Sequence, residues 1–371
     1  MFEPHGCKLC ATSASVSAAA FRSTYPGQDW SVDKSSYRID IMSNNDEISK
    51  DVSSADAVIV ARGLRKSFDS VEAVKDLSFS VDAGQVVGLL GPNGAGKTTT
   101  INMLTTLVSI DAGSASVGGF DVATQPDQVR QLIGLAGQAA AVDEKLTAVE
   151  NLELFGRLYK IPRAERRRRA EELIGQFDMR DFAGRVAGTY SGGQRRRLDV
   201  VAALVANPPA LFLDEPTTGL DPRSRAELWD AIARLASQGT AIVLTTQYLE
   251  EADRLADHIL IINEGRVVAS GSPETLKKDL ERDVLEVHVA EEADLTAALD
   301  IIGSVEGLLT DVDARRIGIP VRDGASLSLD LLRRLQDGGI SISDFQLRRP
   351  TLDDVFLGLT GSPIDEKEVS A

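Results

Sequence analysis

From Ala57 to about Lys278 the chain alternates short, dense apolar runs with stretches in which apolar residues recur every three or four positions. Residues 86–90, 210–213, 241–246 and 258–262 are runs of the first kind, rich in Val, Ile and Leu, and they read as strands. Ile101, Leu104 and Leu107 are spaced for one face of a helix over 97–107, directly after the first of these strands. Strand and helix in alternation predict a mostly parallel sheet with helices packed on it. Between about Thr147 and Gly188 the strand signals vanish, and Leu152, Phe155, Leu158 and Tyr159 take up helical spacing. This predicts an inserted helical subdomain at about 140–190.

Beyond Pro273 the pattern becomes a strand (284–289), a helix (292–302), strands (305–310 and 315–320), a helix (327–335) and a strand (340–347). That order, β-α-β-β-α-β, is the ferredoxin-like arrangement. A last helix over 352–359 carries Leu352, Val355, Phe356 and Leu359 on one face. The expected organisation is an α/β domain over 56–278, an α+β ferredoxin-like domain over 279–361, and a tail, 362–371. Residues 1–55 are rich in Ser and Ala, hold no sustained period and resemble no signal or transit peptide, so disorder is expected there. Met42 opens Met-Ser-Asn-Asn-Asp shortly before the first strand, and translation is expected to be able to start there instead.

Composition narrows the field. A chain of 371 residues with 43% hydrophobic content has room for two domains and is ordinary for a globular protein. No apolar run reaches the roughly 18 residues that a spanning helix needs, so the chain is not expected to cross a membrane itself. A formal net charge of −16 argues against broad attraction to nucleic acid. The basic run Arg166–Arg169 is flanked by Glu165, Glu171 and Glu172 and reads as a solvated helix face. Cys7 and Cys10 are the only cysteines, and with His5 they are too few for a standard zinc site.

The chemistry concentrates in three segments. Gly91-Pro92-Asn93-Gly94-Ala95-Gly96-Lys97-Thr98-Thr99 fits the G-x-x-x-x-G-K-[ST] phosphate cradle between a strand and a helix. There the loop N–H groups and helix N-terminus face phosphate, Lys97 adds a full charge, and the Thr98 hydroxyl is placed for Mg²⁺. Leu211-Phe-Leu-Asp214-Glu215-Pro216 ends a buried strand in two carboxylates. Asp214 is suited to holding Mg²⁺, and Glu215 to accepting a proton from the water that attacks a γ-phosphate. Tyr190-Ser191-Gly192-Gly193-Gln194-Arg195 puts Ser191 and the glycines at a helix N-terminus, a second anion site.

Together with Thr218-Gly219-Leu220-Asp221, these segments resemble the nucleotide-binding subunit of an ATP-binding-cassette transporter, over about 58–272. The resemblance implies a P-loop NTPase cassette that hydrolyses ATP with Mg²⁺ as a homodimer on a separate membrane permease, at the cytoplasmic face of the membrane. It places Phe68 against adenine. Gln138 falls where a glutamine contacts Mg²⁺ and the attacking water and senses the membrane partner. Ser191 and Gly193 fall where the signature turn reaches the γ-phosphate bound by the other protomer, and Asp221 at the dimer seam. Gln247 departs from the family pattern, standing where a histidine is usual; a neutral amide donates a hydrogen bond but carries no proton near neutral pH. With Arg195-Arg-Arg-Leu-Asp199 and the tail 349–361, Gln247 narrows the resemblance to the daunorubicin-resistance type of drug-export ATPase, in which the tail supports assembly. Export of a lipid, saccharide or ion would use the same ATPase residues. A soluble ATPase acting on DNA or the ribosome is disfavoured by the single cassette and the absence of long heptads.

Overall fold

The computed structural model describes residues 57–138, 141–278, 283–303, 305, 308–311, 315–321 and 324–360. The segment 1–55 with Met42 and both cysteines, and the tail 362–371, lie outside the described residues.

The central sheet has the order β10-β9-β3-β8-β7-β6, built from β3 (Val86–Leu90), β6 (Ile133–Ala136), β7 (Ala210–Asp214), β8 (Ala241–Thr246), β9 (His258–Asn263) and β10 (Arg266–Gly271). All its pairings are parallel except β9–β10. The apolar runs are dense because both faces are covered. Val87 and Leu89 of β3, Phe212 of β7 and Val243 of β8 face one core. Val86, Leu211, Leu213, Ile242 and Leu244 face the other. The period of two along a strand divides each run between them.

The first core is closed by α1 (Lys97–Leu104) and by an antiparallel sheet of order β2-β1-β4-β5. Its strands are β1 (Ala57–Phe68), β2 (Val71–Asp82), β4 (Ala112–Val117) and β5 (Phe120–Asp121). The helix α2 (Pro126–Leu132) leads into β6. The second core is closed by α5 (Gly192–Ala203), α6 (Pro222–Ser237) and the helical lobe of α3 (Ala148–Leu158) and α4 (Arg163–Gln176). The helix α3 begins with a capping box between Thr147 and Glu150. On α4, Arg167 pairs with Glu171 and Arg168 with Glu165 and Glu172 on the solvated face expected of the run, whereas the Arg169 side chain is 17% exposed and donates to the Leu204 carbonyl.

The reach of one helix needs correction. The helix predicted over 97–107 ends at Leu104, because Thr106 turns to φ 65°, and Leu107 stands 63% exposed instead of joining the apolar face. Along α3, Leu152 is fully buried, whereas Leu154 and Leu158 are exposed.

After α7 (Leu249–Leu255) and α8 (Pro273–Lys278) comes a sheet of order β12-β13-β11-β14, antiparallel throughout. It comprises β11 (Asp283–Val289), β12 (Leu309–Asp311), β13 (Arg316–Val321) and β14 (Ile342–Arg348), with α9 (Glu292–Ile302) and α10 (Gly324–Asp337). This is the ferredoxin-like order. The strand expected over 305–310 is the shorter β12, and Arg315, at φ 52°, delays β13 by one residue. Ile340 sits in the core after Gly339 (φ 79°), so β14 begins two residues later than its apolar pattern suggests. The last helix, α11 (Leu352–Thr360), packs on α7 and α8. Arg348 of β14 holds it from the other side through both oxygens of Asp354.

Candidate nucleotide site

Parallel pairing in register sets Leu90 beside Thr246 and Asp214 beside Thr245, so the carboxyl ends of β3, β7 and β8 form one edge. Loops leaving such an edge are where open α/β sheets bind ligands. The loop 91–96 leaves β3 there. A Cβ on Gly91 would lie 2.2 Å from the Ile262 carbonyl oxygen, and one on Gly96, at φ 104°, 2.4 Å from the Ala73 carbonyl oxygen. Only glycine lets the loop pass between β2 and β9 and turn into α1. Gly96 is the N-cap of α1 and supplies no side-chain cap, which keeps the first N–H groups of the helix for an anion. Pro92, Asn93, Gly94 and Ala95 complete the arch, with Ala95 N–H donating to the Pro92 carbonyl at 3.2 Å.

Lys97 is 4% exposed, and its Nζ donates to the carbonyls of Gly91 (2.7 Å) and Pro92 (3.1 Å), 3.7 Å from Glu215 Oε1. Burial pushes its pKa below the ordinary lysine value, while the Glu215 and Asp214 carboxylates pull it back up. Thr98 Oγ1 donates to Asp214 Oδ1 at 3.1 Å, and Gln138 Nε2 donates to Thr98 Oγ1 at 3.4 Å. The three residues expected at Mg²⁺ are therefore brought together from α1, β7 and the end of β6. Thr98 and Asp214 offer oxygens to one point, the donor type a hard cation takes, and the Gln138 side chain reaches the same hydroxyl, so the residues fit Mg²⁺. Glu215 adopts φ 49°, and its carboxylate accepts from Thr218 Oγ1 at 3.3 Å. Gln247 follows directly on β8 in the bend before α7, half-buried.

The remaining expected residues gather elsewhere. Ser191 is the N-cap of α5 and forms a capping box with Gln194: Gln194 N–H donates to Ser191 Oγ, and Ser191 N–H to Gln194 Oε1, both at 3.2 Å. Ser191 and Gly192 are exposed. Gly193 is pressed against Ser224, with room for no Cβ (2.8 Å to Ser224 Oγ). Asp221 caps α6, accepting from the N–H groups of Arg223 and Ser224 and from Ser224 Oγ. Phe68 ends β1 with 47% of its surface exposed and the Lys66 ammonium 5.4 Å from its ring centroid.

Sequence reasoning passed over several residues that hold the site. Thr245 Oγ1 donates to Asp214 Oδ1 and accepts from the Glu215 N–H. Glu251, fully buried on α7, accepts from Thr217 Oγ1 and Trp229 Nε1, both at 2.9 Å, linking α7 to α6 and to the loop before Asp221. Arg196 and Asp199 lie within the Arg195–Asp199 motif, which served only to mark a subfamily. Thr245 signalled itself as a polar residue at the end of an apolar run, whereas Arg196 and Glu251 each stand beside another charged residue and nothing in the local pattern sets them apart.

Residues 74–218 match the family model described as ABC transporter, and residues 271–360 that of the C-terminal domain of DrrA1-3-like ATP-binding proteins. The daunorubicin resistance ATP-binding protein DrrA2 of Streptomyces coeruleorubidus is 48% identical over 310 residues, 83% of this chain and 96% of that protein. The doxorubicin resistance ATP-binding protein DrrA of Mycobacterium tuberculosis H37Rv is 44% identical over 317 residues, 84% of this chain and 96% of that protein. A solved ATP-binding cassette, dimeric in a post-hydrolysis state with ADP and Pi, is 26% identical with a TM-score of 0.53 and covers 58% of this chain and 98% of its own.

Proposed function

The chain belongs to the ABC transporter ATP-binding proteins of the daunorubicin- and doxorubicin-resistance type, and from that premise we propose that it drives export of a hydrophobic drug or antibiotic. The membrane path is supplied by a separate permease; among the described residues no helix is long and apolar enough to cross a membrane. The observation that carries the reading is the convergence of Lys97, Thr98, Gln138, Asp214 and Glu215 on one sheet edge through contacts of 3.1 to 3.7 Å.

Each residue has a distinct task. The loop 91–96 and Lys97 hold the phosphates of ATP. Thr98, Gln138 and Asp214 hold Mg²⁺, which when bound offsets the negative charge of the phosphate oxygens. Glu215, 3.7 Å from the Lys97 ammonium, accepts the proton of a water that Gln138 aligns. Gln247 donates a hydrogen bond to the γ-phosphate. Phe68 offers its exposed ring to adenine. The exposed turn at Ser191, Gly192, Gly193 and Gln194 and the Asp221 cap complete the site of a second copy, so that two ATP molecules are enclosed in a homodimer. Leu154 and Leu158 on the helical lobe meet the permease at the cytoplasmic face of the membrane, and the ferredoxin-like domain supports assembly.

The test is a pull-down of tagged Glu215→Gln protein with ATP from its native cells in mild detergent. A polytopic membrane protein in the eluate supports the reading; ribosomes or DNA-bound proteins without a membrane partner overturn it. Glu215→Gln must also abolish steady-state ATP hydrolysis.

A further inference from the structure

Arg196 lies one turn into α5 with its side chain 10% exposed, and its guanidinium is spent almost wholly on backbone carbonyls. Nε donates to Pro216 O at 2.9 Å, and Nη2 donates to Asp214 O at 2.8 Å and to Glu215 O at 3.1 Å. Nη1 donates to Gly137 O and, at 3.2 Å, to Asp199 Oδ2. Asp199, 2% exposed, accepts the Ala141 N–H on its other oxygen at 2.7 Å. One ion pair thus grips Gly137 and Ala141, which bracket Gln138, together with three consecutive carbonyls that include those of both site carboxylates.

Glu215 needs such a grip. At φ 49° it occupies the left-handed region, which costs an L-residue with a long side chain free energy that surrounding contacts must offset. Thr245 holds its N–H, and Arg196 holds its carbonyl. The planar fork of an arginine matches several acceptors at fixed angles; a lysine ammonium brings the charge without that geometry.

We propose that Arg196 is a positioning residue which, with Asp199, makes the Gln138 loop, the first turns of α5 and the Glu215 backbone move as one body. A displacement of the Gln138 loop by a docked partner then re-aims the Glu215 carboxylate within the same chain. The inference rests on the roles given above to Gln138 and Glu215. It separates turnover from nucleotide binding, since Arg196 donates to no atom of the Lys97 loop in the contacts above.

The experiment uses the full chain, with kcat from steady-state ATP hydrolysis and Kd from a fluorescent ATP analogue. Arg196→Lys is expected to lower kcat about tenfold or more, because a small misplacement of a catalytic group is costly, while Kd stays within about threefold. Gln138→Ala lowers kcat as well. If both act through one link, the double variant falls no further than about threefold below the worse single one. An unchanged kcat in Arg196→Lys, a parallel loss of kcat and affinity, or a double variant equal to the product of the singles overturns the proposal. Should Arg196→Lys not fold, Asp199→Asn takes its place in the same cycle, judged by the same outcomes. Glu215→Gln with undiminished turnover would instead remove Glu215 as the base, a failure of the functional reading that the Arg196–Gln138 cycle does not depend on.

Discussion

Thr245 on β8 joins the two carboxylates at the end of β7: its hydroxyl donates to Asp214 Oδ1 at 2.6 Å and accepts from the Glu215 N–H at 3.0 Å. A hydroxyl is the smallest group that can do both. Thr245→Val, nearly equal in volume, removes both bonds. It is expected to lower kcat about tenfold to a hundredfold by loosening Asp214 and Glu215, while costing only about 1–2 kcal/mol of stability. Steady-state hydrolysis and urea unfolding of the same preparation check this; normal turnover would show that β7 alone positions the pair.

Gln247 occupies the place of a usual histidine and has no titrating proton near neutral pH. If Glu215 is the sole base, Gln247→His keeps ATP hydrolysis within about threefold of the parent, since either side chain donates a hydrogen bond. A hydrolysis rate that rose about a hundredfold and acquired a pH dependence near the ordinary histidine pKa would assign a proton-transfer role to that position instead.

Burial pushes the Glu251 carboxyl above its ordinary value, against the opposing hydrogen bonds from Trp229 and Thr217. An acid with a raised folded-state pKa binds its proton more tightly folded than unfolded. Its contribution to stability is complete below the unfolded value and is lost as pH rises through the folded one. Glu251→Gln keeps an acceptor for Trp229 and Thr217 without a charge. Its stability relative to the parent should therefore increase as pH is raised above the ordinary carboxylate range, read as the difference in urea midpoints. A difference that stays flat or shrinks with rising pH would mean that the fold does not raise the Glu251 pKa.

Arg348 binds Asp354 through two hydrogen bonds (2.6 and 3.1 Å) and Glu286 through a third (2.9 Å), tying α11 to β14 and β11. Arg348→Ala removes the cation from the buried Asp354 carboxylate, which keeps only the Thr351 N–H and hydroxyl, while Glu286 retains His288 and Arg316. It is expected to destabilise the C-terminal domain by about 3 kcal/mol, discounted for the partial exposure of the arginine. Amide exchange should quicken across α11 and β11 but not across β7. Uniform protection in both regions would reduce the cluster to a surface pairing.

Much of the cassette was legible because its signals are local. The loop 91–97 needs glycines where backbone approaches backbone, and Gly91 and Gly96 do meet carbonyls at distances no side chain tolerates. The dense runs at β3, β7 and β8 announced buried strands, and Ser191 marked the start of α5, whereas the cap that Asp221 gives α6 was seen only in the structure. Periodicity was weaker at ends: nothing in the spacing of Ile101, Leu104 and Leu107 shows that Thr106 turns left-handed and stops the helix.

By itself the sequence determined the element types and the ferredoxin-like order of the second domain, and it pointed to the loop 91–97 and to Asp214 and Glu215 as candidates, because each follows from chemistry within a few neighbouring positions. Only the tertiary structure decided what holds those residues in place. Arg196 meets carbonyls 18 to 59 positions away, and Thr245 meets Asp214 across 31. No local pattern specifies such partners, since they are chosen by which strands lie side by side and which helix packs across their ends. The same reason separates buried Leu152 from exposed Leu154 and Leu158, alike as side chains and divided only by the face of α3 that the core covers.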